Sequence, residues 1–149
     1  TQSLDLPDRF TATGGSATSY PPIFFDIQRG MMPVYLGSST PGINLIFYRT
    51  TDGGAQWVAT SPVIAQTNRF IWSWVDAQYG FIAEAGTNIL FTTTDSGQSW
   101  TKINSGTIQF SELDFISTST GWAISGGMLY QTQDGGQQWV RIEPTMSVK

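Results

Sequence analysis

Three aspartates, Asp52, Asp95 and Asp134, recur in one setting, Thr-x-Asp-x-Gly-x-x-Trp, and have the strongest title to chemistry in this sequence. Carboxylates in pairs serve as general acid and base, and carboxylates in clusters bind cations. The rest of the inventory is spare. The 149 residues include no His and no Cys, which removes His-based triads, thiol nucleophiles, disulfides and any His/Cys zinc site within the chain. Glutamate occurs only at 84, 112 and 143, and no motif sets two of them across a glycosidic bond. The glycines of GGAQ and GGQQ precede no Lys-Ser/Thr pair and open no helix, so they are turn glycines rather than a phosphate loop.

The aspartates have to be read with the elements that carry them, because fixed spacing marks a repeat. Asp95 follows Asp52 by 43 residues, and Asp134 follows Asp95 by 39. The segments LIFYRTTDGGAQWVAT (45–60), ILFTTTDSGQSWTKI (89–103) and MLYQTQDGGQQWVRI (128–142) align on them. A second landmark precedes each: FFDIQRGM (24–31), WVDAQYGF (74–81) and FISTSTGW (115–122), aromatic stretches with a polar turn closed by Gly30, Gly80 or Gly121. Within the second unit, RFIWSWVD, GFIAEAG, NILFTTTD and QSWTKI read as four short strands by their alternation and their β-branched and aromatic content. Turn residues punctuate the chain about every ten positions, and no window carries a 3.6-residue stripe. The spacing predicts an all-β fold of three four-stranded antiparallel β-propeller blades at 20–60, 64–103 and 107–143. Residues 1–19 then form a leader or the remnant outer strand of a preceding blade, and 144–149 a tail. The competing β-sandwich of hairpins seldom repeats one turn motif at this interval.

Thr50-x-Asp52-x-Gly54-x-x-Trp57, Thr93-x-Asp95-x-Gly97-x-x-Trp100 and Thr132-x-Asp134-x-Gly136-x-x-Trp139 resemble the Asp-box, or BNR repeat, of sialidase-like propellers. The longer pattern looks most like the photosystem II assembly-factor type and its bacterial relatives, over residues 20–143. The resemblance implies propeller blades, and an extracellular or periplasmic setting. A sialidase would need three arginines on one carboxylate, a Tyr paired with Glu, and an Asp acid. Arg29 and Arg49 fall beside the turns, Arg141 closes an outer strand, and Arg9 and Arg69 do not make a triad. No catalytic residue, metal or cofactor is expected.

For the aspartates a structural role is the expectation. In a turn between strands, an Asp side chain accepts hydrogen bonds from backbone N–H groups, the Gly supplies positive φ, and the Trp covers the hairpin. Residues repeated once per blade are also spread round a ring, whereas a catalytic site converges on one place. Strand direction sets the first turn and the Asp turn of each blade on one face. The second turns and the blade connections lie on the other, where the resembling families bind ligands. Its loops are Ser38–Asn44, Gly86–Asn88 and Ser125–Gly127, with the connections Thr60–Arg69 and Asn104–Gln109. Tyr20, Arg69, Trp72 and Glu84 are its candidate ligand residues; otherwise Trp72 packs between blades, and Arg69 and Glu84 are solvated charges.

Charge narrows the partners. The net charge is −4, and the seven cationic residues do not cluster, so no nucleic-acid surface is expected. No apolar run approaches the roughly 20 residues of a membrane span, and TQSLDLPDRF has neither a basic start nor an apolar stretch of a signal peptide. The function expected is a non-catalytic binding or assembly module for a protein or glycan, with a glycoside hydrolase or a lectin as the alternatives. Three blades are too few to surround an axis. Closure is expected from a homodimer that completes a six-bladed ring, or from missing blades of a longer chain.

Overall fold

The computed structural model describes residues 4–5, 16–37, 43–65, 67 and 69–145. Among them there is no helix and no helix long and apolar enough to cross a membrane. The strands are β1 (Ser16–Ser19), β2 (Ile23–Phe24), β3 (Gly30–Gly37), β4 (Ile43–Thr50), β5 (Val58–Ala59) and β6 (Val63–Ala65), then β7 (Phe70–Trp74), β8 (Gly80–Glu84), β9 (Ile89–Thr93) and β10 (Thr101–Asn104), then β11 (Glu112–Phe115), β12 (Gly121–Ser125), β13 (Met128–Thr132) and β14 (Val140–Ile142). They form three sheets, each an antiparallel meander, with every pairing local in sequence.

The first sheet has six strands where four were expected, because proline interrupts both of its flanks. β1 and β2 pair with opposite ends of β3 and are separated by Pro21 and Pro22. β5 and β6 pair with opposite ends of β4 and are separated across Pro62. Pro21, Pro22 and Pro62 offer no N–H at these points, so one inner and one outer strand each break there in two. The sheet therefore reaches from Ser16 to Ala65, beyond the expected 20–60. Ser16–Ser19 belongs to the inner strand rather than to a leader or a preceding blade, at least over these described residues. Its side chains are all exposed, so no apolar alternation marks it as a strand. Backbone pairing to Val34–Gly37 holds it.

Alternation sends successive side chains to opposite faces, and the apolar ones meet between sheets. Met31, Leu45, Phe47 and Val63 of the first sheet pack on Phe70 and Ile82 of the second. Phe81, Ala83 and Leu90 on the second sheet's other face pack on Phe115 and Ala123 of the third. Phe81 and Phe115 stack at 3.6 Å between centroids, and the Phe115 N–H donates to Ser73 Oγ at 2.8 Å, which ties the two inner strands. On the first sheet's outer face Val34, Leu36, Ile46 and Tyr48 are at most 4% exposed. Leu4 packs there, and the Tyr48 hydroxyl donates to the Asp5 carbonyl at 3.0 Å.

The closing glycines of the first landmark have a reason that the sequence conceals. Gly30, Gly80 and Gly121 pair across the hairpin with Phe24, Trp74 and Phe115. A Cβ would come within 3.0 Å of the ring in the first case and 2.6 Å in the others. The aromatic lies over the glycine, so the constraint is close approach rather than backbone conformation.

Candidate functional site

The Thr-x-Asp turns have the same wiring in all three sheets. The threonine hydroxyl donates to the carboxylate, Thr50 to Asp52 at 2.9 Å, Thr93 to Asp95 at 2.8 Å and Thr132 to Asp134 at 2.9 Å. The same hydroxyl oxygen accepts the N–H of Gly54, Gly97 or Gly136. The carboxylate then accepts the N–H of Gln56, Ser99 or Gln138, each at 2.9 Å. Two consecutive residues take positive φ, which explains the Gly-Gly of the first and third turns. The second turn has Ser96 there at φ 63°, a position that favours glycine by about 1–2 kcal/mol.

Each turn also reaches its own sheet's first hairpin, through Gly53 N–H to Gln28 O, Ser96 N–H to Gln78 O and Gly135 N–H to Ser119 O. First turn and Asp turn therefore share one face. Each turn of the second and third sheets lies against the sheet before it. A Cβ on Gly97 would meet Thr60 at 3.2 Å, and one on Gly136 would overlap the Leu90 side chain. The Trp100 indole N–H donates to Ser61 O at 3.1 Å, and Ser105 Oγ donates to Gly136 O at 2.7 Å.

The three carboxylates are thus engaged by their own turns and sit in different sheets. All lie below the ordinary carboxylate pKa: Asp52 chiefly through the Gln56 N–H, Asp95 chiefly through the Ser99 hydroxyl, and Asp134 chiefly through the Gln138 N–H. Asp26 is lowered in the same sense, first by the Arg29 N–H. A group whose folded pKa is depressed contributes stability above its unfolded pKa, near 4, and loses it as pH falls through the folded value. The melting temperature is expected to hold from pH 7 to about 5 and to drop below about 4. Asp95→Asn should lower stability at pH 7 and flatten that acid limb. An acid limb as steep in Asp95→Asn as in the parent would show that this turn takes no part.

The turn face carries a cleft. It measures about 390 Å³ and lies between the first and second sheets. Phe25 and Met31 give it an apolar floor, while Arg29, Arg49, Gln78 and Ser96 are among the polar groups at its walls. Arg29 is paired with Asp26 at 2.6 Å, whereas no ion pair among the described residues involves Arg49. A second cleft of about 220 Å³, between the second and third sheets, includes Tyr79, Thr92 and Asp134 in its lining. No group of three or more metal-ligating side chains occurs among the described residues.

The opposite face brings some of the expected ligand residues together and buries one. The Tyr20 ring, 40% exposed, lies 5.4 Å from Tyr35 and 5.6 Å from Trp72. Trp72 packs on Phe47 at 6.0 Å as part of the core between the sheets. Arg69 is exposed, and its charge acts on the Tyr35 hydroxyl, whose pKa is raised chiefly by burial. Glu84 is only 1% exposed, so it is not a solvated charge; its Oε1 accepts the Thr67 N–H at 2.7 Å. Its register partner is Phe70, which places it at the end of the packed interface. The loop Ser38–Asn44, named among the loops of this face, lies outside the described residues over 38–42. The cleft on the turn face was not legible in the sequence, because its walls come from two sheets.

No family model matches the chain, and no curated protein matches it. Twelve solved chains match its structure. One, described as "YCF48 bound to D1 peptide", superposes with a TM-score of 0.57 at 24% identity. The match covers 88% of this chain and 45% of that one, so the chain spans less than half the length of the structure it resembles. That structure is a β-propeller, and the likeness is one of fold. Three antiparallel sheets packed face to face are here part of a propeller.

Proposed function

We propose that this chain is a non-catalytic binding module whose blades offer an extended protein segment the cleft between the first and second sheets. The observation that carries this reading is the cleft's composition. An apolar floor of Phe25 and Met31 takes an aliphatic or aromatic side chain, and Gln78 and Ser96 offer hydrogen bonds to a peptide backbone. Arg49 is placed to meet an acidic side chain. The similar solved propeller is described as holding a peptide, which supports a protein partner rather than a small molecule. The three turns read as Asp-box repeats, whose carboxylates serve the turns.

A peptide array of overlapping 15-residue segments, probed with the labelled chain, tests the reading. Peptides pairing an acidic with a large apolar residue should bind, and Arg49→Glu should weaken them by about tenfold or more, the worth of one charge-assisted hydrogen bond. The glycan alternative makes the opposite forecast: a glycan array lights up and Tyr20→Ala extinguishes it, since Tyr20 is the exposed aromatic beside Trp72. Glycan binding with a silent peptide array, or turnover of a glycoside panel, would overturn the proposal.

A further inference from the structure

We infer that the cleft between the second and third sheets is a second subsite for the same extended segment, one that takes a basic side chain. This rests on the proposal that the first cleft holds a peptide. The two clefts are the same groove, built twice by the repeat. Apart from Ile103, every residue lining the second stands one repeat on from a residue lining the first. Phe81 takes the place of Met31, and Thr93 and Thr94 stand where Thr50 and Thr51 do. From the following sheet, Asp134 and Gln137 replace Asp95 and Gln98. The difference that matters falls at the two cationic positions. Arg29 gives way to Tyr79, and Arg49 to Thr92.

Charge therefore changes sign between the clefts. The first sets two guanidinium groups against the Asp95 carboxylate, whereas the second is lined by the Asp134 carboxylate and by no Arg or Lys. Asp95 is half-buried, and Ser99 Oγ donates to its Oδ2 at 2.6 Å. Asp134 is exposed, Gln138 stands in the place of that serine, and among the described residues no side chain donates to Asp134 Oδ2. A lysine or arginine answers this arrangement. Its alkyl stem lies on Phe81 and Ile103, and its charged head meets Asp134 among the hydroxyls of Tyr79, Thr92 and Thr118. Stacked sheets lie about 10 Å apart, a distance that an extended chain covers in roughly three residues at about 3.3 Å each. A segment with an acidic and a basic residue at that interval meets both clefts at once, and the opposed charges fix its register.

The test uses synthetic peptides on one frame, each with a large apolar residue, a glutamate and, about three positions from it, a lysine, a glutamine or a second glutamate. Fluorescence anisotropy reads their dissociation constants. The lysine peptide should bind about threefold more tightly than the glutamine peptide, and the second glutamate about threefold more weakly. That spread should shrink in about 1 M salt, and a lysine moved next to the glutamate should lose its advantage. Thr92→Arg should reverse the order, since its counterpart Arg49 shows that this place in the strand holds an arginine. Tyr79→Arg should do the same, which covers a failure of either variant to fold. Arg49→Glu should weaken the glutamine peptide, and that result reports on the first cleft alone. Equal affinity of the three peptides, or an order that both arginine variants leave unchanged, overturns the second subsite while the first cleft still stands. Peptides that do not bind at all overturn both.

Discussion

Replacing Gly136 by alanine is expected to cost the fold about 2–5 kcal/mol, a large share of the stability of a domain of this size. Two independent penalties combine. Gly136 sits at φ +91°, where an L side chain adds about 1–2 kcal/mol. Its Cβ would overlap the Leu90 side chain, and overpacking a filled site adds about 1–3 kcal/mol. Gly86→Ala separates the two terms. At φ +77° with nothing within 4 Å of the added atom, it should show the backbone penalty alone. Urea titrations of both variants give the comparison, read as a shift of midpoint at constant slope. In the double variant Leu90→Ala/Gly136→Ala the new methyl enters the space that leucine leaves, so the two costs should fall short of additive by at least about 0.5 kcal/mol. Equal losses at Gly86 and Gly136 would show that contact with Leu90 adds nothing.

Leu90→Ala itself should cost about 2–5 kcal/mol, while Leu129→Ala should cost less than about 1 kcal/mol. The residue type, the strand and the place in the repeat are the same. What differs is exposure, 0% against 39%. The removed methylene and methyl groups leave a cavity only where a following sheet closes the site. Denaturant unfolding of the two variants measures the difference directly. A Leu129→Ala loss as large as that of Leu90→Ala would show that the third sheet's face is covered in solution.

Much of the architecture was open to reading because the repeat is written three times. Asp52, Asp95 and Asp134 fall in equivalent turns, and alternation in segments such as ILFTTTD gives strands whose hydrogen-bond partners are near in sequence. Misjudged boundaries have local causes. Ser16–Ser19 pairs through backbone alone and carries no apolar signal, and Pro62 hides the second half of an outer strand. Glu84 looked like a solvated charge because composition does not say what packs over a strand end.

By itself, the sequence determined the blade: its strands, its turn chemistry and its period, all of which depend on contacts within about forty residues. The tertiary structure decided how blades meet. Gly136 is held to glycine by a leucine of another sheet, and the cleft with Phe25 and Arg49 is made by two sheets side by side. The physical reason is that hydrogen-bond ladders and turns are local and leave a pattern along the chain. Close packing between sheets joins residues tens of positions apart through shape, and shape leaves no periodic trace in the order of residues.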